Sequence, residues 1–204
     1  MADKHLIQSA LAHLHLEARA TAAVDSAGVS LCERAPRDQI ALRGDVRDPA
    51  FRKAVKSVLG VEPPGDAGAT NARRGITVFW LGPDEWLVVL PSGRATKILQ
   101  RLGTALEGQH AALTDVSCSR VAIGLSGEHA REVLAKGCSL DFHPSHFSAG
   151  QCAQSSLARC HMLVHQLDDT PSYDLYIHRS FADYAWRWLE DAAAEYGVAV
   201  SSAA

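Results

Sequence analysis

The chain passes through one order of elements twice, with almost no residue identity between the two passages. In the first, "QIALRGDVRDPAFRKAVKSVLG" (Gln39 to Gly60) reads as a strand, a turn and a helix. Asp48 is its N-cap, Pro49 takes the first helical position, and Gly60 is the stop. In the second, "SRVAIGLSGEHAREVLAKG" (Ser119 to Gly137) places a strand over Val121 to Leu125, a cap at Ser126 or Gly127 and a stop at Gly137. A loop, two strands around an acidic turn and a serine-started amphipathic helix follow each. The turns carry Asp84–Glu85 near Pro83 and Asp168–Asp169 near Pro171. Strand, helix, hairpin, helix, made twice, predicts an α+β fold. Its two similar halves each hold an antiparallel sheet with helices on one face. The boundaries fall at an N-terminal extension 1–20, a first half 21–104, a connection 105–115, a second half 116–197 and a C-terminal tail 198–204.

Composition narrows the function classes. At 204 residues, 47% hydrophobic and 21% charged, the chain can bury a core and is unlike a disordered one. A formal charge of −3 leaves no basic excess to neutralise phosphates, so no nucleic-acid partner is expected. No apolar run approaches the roughly 20 residues that span a bilayer, so no membrane partner is expected either. Histidines and Glu17 interrupt the early apolar stretch, which makes a poor secretory signal; a cytoplasmic location is the expectation. Five cysteines (Cys32, Cys118, Cys138, Cys152, Cys160), with no CxxC pair, point to reduced and mostly buried thiols.

Candidate chemistry is sparse. In "ITVFWLGPDEWLVVLP" (Ile76 to Pro91), Pro83 suits the second position of a type I turn, and both strand faces are largely apolar. The hairpin is therefore expected to be covered on both sides, with Asp84–Glu85 as a solvated tip. An acid/base pair would need carboxylates of separated pKa, and nothing nearby separates these. His161 and His165 stand four apart, but in a strand-like run with no glutamate to complete a zinc motif. Asp141, His143 and His146 cluster around Pro144, where a loop packed by Phe142 and Phe147 competes with a metal site. Ser117, Cys118 and Ser119 follow Asp115 without a signalled base or strained presentation for a nucleophile. No GxGxxG or phosphate loop occurs. No catalytic, cofactor-binding or metal-binding residue is assigned.

The last helix offers a different clue. At 3.6 residues per turn, Phe181, Ala185, Trp188, Ala192 and Tyr196 share a face, with Asp183, Arg187 and Glu190 opposite. Trp186 falls outside that apolar arc. It is either covered by its own chain or a subunit-interface anchor, a role in which tryptophan is enriched.

Three stretches, "WLGPDEWLVVLP" (Trp80 to Pro91), "LTDVSCSRVAIGLSGEHAREVLAKGCSLDFHPSHFSAGQC" (Leu113 to Cys152) and "YIHRSFADYAWRWLEDAA" (Tyr176 to Ala193), together resemble the gamma subunit of heterotetrameric sarcosine oxidase. The similarity runs from about Leu42 to Tyr196. The LGPDEW turn and the D-V-S strand followed by L-S-G are its most specific marks. The resemblance implies a fold like the first two domains of the folate-dependent aminomethyltransferase (T-protein) of glycine cleavage. It also implies alpha, beta and delta subunits as partners, in a complex that oxidises sarcosine to glycine with hydrogen peroxide and methylenetetrahydrofolate as products. FAD, FMN, NAD, tetrahydrofolate and zinc would then lie on the other subunits, and this chain would be a non-catalytic structural subunit. The T-protein carries an acidic pair on the strand after its Gly-rich turn; Cys160 and His161 stand at the matching positions here, and no Asp or Glu lies between Asp141 and Asp168. The catalytic assignment is therefore not carried over. The alternative is a free-standing folate-binding or aminomethyltransferase-related protein.

Overall fold

The computed structural model describes residues 8–20 and 27–201. They divide into two compact units, one formed by Arg37–Ser119 with Gly150–Ala153, the other by the segments up to Pro36, Arg120–Ala149 and from Gln154 onward.

The first unit holds a five-stranded sheet in the order β3-β4-β5-β2-β6, with every pair antiparallel. Its strands are β2 (Asp38–Arg43), β3 (Thr70–Arg73), β4 (Ile76–Gly82), β5 (Glu85–Leu90) and β6 (Ala112–Asp115). Helices α2 (Pro49–Leu59) and α3 (Ala95–Ala105) cover one face. Helix α2 forms where expected: the Asp48 side chain accepts from the Ala50 N–H, Pro49 starts the helix, and Gly60 ends it at φ 76°. That left-handed turn is strain-free only for glycine. Phe51, Val55 and Leu59 make an i, i+4, i+8 stripe that packs on Ile40, Leu42, Trp86 and Val88. Helix α3 is capped from a distance. Asp38 Oδ2 accepts from both the Arg94 and Ala95 N–H groups at 2.6 Å, a role that the serine before the helix does not fill. Strand β5 is buried without a break from Trp86 to Leu90, so the hairpin is covered on both faces as its apolar pattern predicts.

The second unit holds a six-stranded sheet in the order β11-β1-β7-β10-β9-β8. Its strands are β1 (Val29–Glu33), β7 (Arg120–Ser126), β8 (Cys152–Leu157), β9 (Cys160–Asp168), β10 (Ser172–His178) and β11 (Val198–Val200). Helices α4 (Ala130–Ala135) and α5 (Ala182–Ala193) belong to it. The N-cap position of α4 is His129, three residues past Ser126 and two past Gly127, and makes no side-chain cap bond. Gly137 still follows its end, for a packing reason. A Cβ there would lie 2.5 Å from the Trp188 indole.

The repeat is real at the level of topology. β3-β4-β5-β2 and β8-β9-β10-β7 run in the same order, each closing on a fifth strand. Four expected segments divide differently in the structure. Strand β1 lies in the 21–104 half by sequence but pairs with β7, while β6, in the 105–115 connection, pairs with β2. Each copy's leading strand thus sits in the other copy's sheet. The 198–204 tail supplies β11, which runs parallel to β1 from Val29↔Val198 to Leu31↔Val200. Within the 1–20 extension, residues 8–20, which include the one-turn helix α1 (Leu16–Arg19), are not separate. Leu11 and Leu16 are buried, His13 Nε2 lies 2.7 Å from Asp183 Oδ1, and Arg19 pairs with Glu190.

Trp186 also needs correction. It is fully buried, and the inward stripe of α5 is Ala182, Ala185, Trp186, Leu189, Ala192 and Ala193. The expected face followed the large aromatics; the observed one follows four alanines whose small side chains leave room for the indole. Phe181 and Tyr184 are the exposed aromatics, at 43% and 38%.

Candidate functional site

The β4–β5 tip is an ion-paired turn. Arg43 on β2 lies 3.1 Å from Asp84 and 3.7 Å from Glu85, all three substantially exposed, and the Gly44 N–H donates to the Asp84 carbonyl. One guanidinium thus serves both carboxylates of the turn. Beside the tip opens a cleft of about 1010 Å³, walled by Trp80, Val46 and Ala111, with Arg47 and His110 at its margin. No hydroxyl or thiol lines it. It can hold a flat or apolar group but offers no such nucleophile.

The other sequence candidates are held by structural bonds. His161 and His165 share one face of β9, roughly 13 Å apart at about 3.3 Å per residue, too far to share an ion. In the Asp141 loop, the His143 N–H donates to Asp141, His143 Nδ1 lies 2.6 Å from Ser145 Oγ, and His146 stays 3.8 Å from Asp141. Phe142 and Phe147 anchor the loop edge-to-face at 5.6 Å, both buried. Among the described residues, no group of three or more His, Cys, Asp or Glu side chains is placed to hold a metal ion. Ser117 Oγ donates to Asp115 at 2.6 Å and accepts from the Gln39 N–H at 3.0 Å, closing the turn after β6 onto β2. Ser119 Oγ donates to the Val116 carbonyl, and Cys118 is exposed.

Sequence reasoning missed the most organised polar cluster. Arg34, just past β1, donates through Nε to Asp174 Oδ1 on β10 at 2.7 Å, although β7 lies between those strands. The crossing is possible at Gly124 on β7, where a Cβ would meet Cys32 Sγ at 2.6 Å and Arg34 Nε at 2.8 Å. Burial works to lower the Arg34 pKa, but the neighbouring carboxylate outweighs it and the value is raised. On the far side, His165 pairs in register with Asp174. Burial lowers the His165 pKa, with Asp174 pulling the other way. The available signals were Asp174 inside "SYDLYIH" and Gly124 inside "VAIGLS", a charge and a glycine within otherwise apolar strands.

Likeness to known proteins fixes the lineage of this arrangement. The profile described as "Sarcosine oxidase, gamma subunit family" matches residues 43–195. Sarcosine oxidase subunit gamma of Arthrobacter sp is 33% identical over 181 residues, 88% of this chain and 87% of that one. The chain belongs to the sarcosine oxidase gamma subunit family. The family member from Corynebacterium sp. (strain U-96) is 31% identical over 195 residues, 95% of this chain and 93% of that one. A chain of the solved heterotetrameric sarcosine oxidase from Corynebacterium sp. U-96, in complex with pyrrole 2-carboxylate, superposes with a TM-score of 0.83. It is 31% identical, and the match covers 95% of this chain and 98% of that chain. The glycine cleavage system aminomethyltransferase T from Bartonella henselae shares the fold, with a TM-score of 0.66 at 16% identity, over 97% of this chain and 59% of that enzyme.

The start of β9 holds Cys160, a buried thiol 3.2 Å from the Leu157 carbonyl, and the exposed His161. Burial pushes the Cys160 thiol pKa up, which keeps it protonated near neutrality.

Proposed function

We propose that this chain is the gamma subunit of a heterotetrameric sarcosine oxidase and serves as its non-catalytic structural subunit. One observation carries the reading: likeness at TM-score 0.83 to a chain of such an assembly, over nearly the full length of both. In this role the chain docks onto alpha, beta and delta subunits in the cytoplasm. FAD, FMN, NAD, tetrahydrofolate and zinc lie on those subunits, and the complex oxidises sarcosine to glycine with hydrogen peroxide and methylenetetrahydrofolate as products. The ion-paired hairpin tip and the structurally engaged Ser117 support a scaffold rather than a reacting site. Phe181 and Tyr184 replace Trp186 as the aromatic contacts assigned to partner subunits. Among the described residues no helix is long and apolar enough to cross a membrane.

The test is a native pull-down of the chain from its source cells, followed by an absorbance spectrum. A yellow complex with three further polypeptides is expected. A colourless eluate of this chain alone overturns the reading, as does micromolar tetrahydrofolate binding by the isolated chain.

A further inference from the structure

We propose that the outer edge of β6 is a docking strip for an extended segment of a partner polypeptide, which adds a sixth strand to the five-stranded sheet. The internal repeat carries the inference. β6 and β1 hold the same place, each the fifth strand, beyond β2 and β7 respectively. Leu113 stands opposite Leu42 as Leu31 stands opposite Leu125. Beyond β1 the sheet continues with β11; among the described residues, β6 ends its sheet.

Backbone polarity shows what that edge offers. The Val116 N–H donates to the Gln39 carbonyl at 2.9 Å, which fixes the phase of the antiparallel β2–β6 ladder. Residues 112 and 114 therefore bond to β2, and Leu113 and Asp115 turn their N–H and C=O groups outward. The matching outward groups of β1 are taken up by β11 and its flanks: the Val29 N–H donates to the Gly197 carbonyl, and the Leu31 carbonyl accepts from the Ser201 N–H. Val29 and Leu31 are fully buried, with Val198 and Val200 beside them. Ala111 and Leu113 are only half-buried against their core. The segment that fits repeats the pattern of Val198–Ala199–Val200, with apolar residues beside Ala111 and Leu113 and a small one between.

Edge strands are ordinarily guarded by lysine, proline, a bulge or a cover. At the other end of the sheet, β3 carries Arg73, and its Thr70 hydroxyl donates to the Gly150 carbonyl. β6 has no lysine, arginine or proline and pairs without a bulge; its one charge, Asp115, is turned to the Ser117 hydroxyl. The inference rests on the reading of the chain as a subunit and deepens it by naming the edge a partner takes.

The experiment captures the full-length chain from its source cells and compares residue-resolved amide hydrogen exchange in the free chain and in the captured assembly. The Leu113 and Asp115 amides are expected to exchange fast in the free chain and at least about tenfold more slowly in the assembly. The amides of Ala112 and Thr114, bonded to β2, should be slow in both. Leu113→Pro deletes one outward donor and no bond to β2; it should leave the melting temperature near wild type and lose the Asp115 protection, while Leu113→Val keeps it. Partners captured with Leu113 and Asp115 still open overturn the proposal and leave the subunit reading standing. Capture of no partner overturns both. Protection that grows with the concentration of the free chain makes a second copy the occupant and overturns it too, as does Asp115 protection that persists in Leu113→Pro. Should Leu113→Pro fail to fold, the wild-type comparison decides alone.

Discussion

Arg34 reaches Asp174 across an intervening strand, at 2.7 Å, through the space left by the missing side chain of Gly124. The contact joins strands that share no backbone ladder, so it ties three neighbours of the sheet rather than two. Asp174→Ala leaves a largely covered guanidinium without its partner. It is expected to cost about 2 kcal/mol in urea denaturation. Gly124→Ala should cost a similar amount with both charges in place, and a double variant should lose little more than either alone. Full additivity would show that the two positions act independently.

Trp186 is expected to behave as core. Trp186→Ala should lose about 3–5 kcal/mol of stability. The indole N–H has no hydrogen-bond partner, so Trp186→Phe should retain most of the loss-prone packing and cost clearly less. Co-purification of partner polypeptides with Trp186→Phe should match wild type, while the pair Phe181→Ser/Tyr184→Ser should reduce it. The reverse ranking would return Trp186 to the interface.

Asp38 caps α3 from a neighbouring strand. Asp38→Ala is expected to cost about 1 kcal/mol, the usual worth of an N-cap, and Asp38→Asn a smaller amount. Thermal unfolding by circular dichroism separates the two, and equal melting temperatures for Ala and wild type would show the cap to be idle.

The lowered His165 pKa sets a pH dependence. The unfolded chain takes up this proton near the ordinary value of 6.5, the folded chain only at lower pH. Stability from this group is therefore complete above about 6.5 and is lost as pH falls through the folded value. Urea midpoints measured from pH 7.5 down to 5 should fall less steeply in His165→Gln than in wild type.

Thiol reactivity should sort the cysteines. Cys118 is the exposed one of five, and burial pushes the Cys152 thiol up to about 11. At pH 8 a thiol reagent should modify Cys118 first in the native protein, because the thiolate is the reacting form. Deprotonation of Cys152 in the unfolded chain begins near its ordinary value of 9.0, so its share of stability declines as pH rises from there through about 11. Rapid labelling of all five at pH 8 would show the core to be open.

Much of the fold was legible because local signals agreed. Asp48, Pro49 and Gly60 mark the limits of α2 in sequence and occupy those positions in the structure. The Pro83–Asp84 turn and the two-sided apolar pattern likewise located the β4–β5 hairpin. What escaped was non-local. Asp38 caps a helix 56 residues away, and Arg34 pairs with a carboxylate 140 residues away. No periodicity records such partners. The α5 face was misjudged because size was weighed above shape, and a stripe of alanines can bury more of a neighbouring tryptophan than a stripe of aromatics would. The histidine pairs were legible as strand and loop residues, but the placement of Arg120 opposite His178 depends on the register of β7 and β10.

The exchange of leading strands has a consequence for how the molecule can be divided. A cut between the two sequence repeats, near residue 111, would send β1 away with a fragment whose own sheet has no place for it, and β6 away from the strand it completes. Two products made this way are each one strand short and one strand over, with unpaired edges that invite aggregation. Mixed together, they should recover native structure that neither attains alone. The duplication is thus written consecutively in the gene product but realised as a reciprocal loan, and complementation of fragments, rather than truncation, is the way to take it apart.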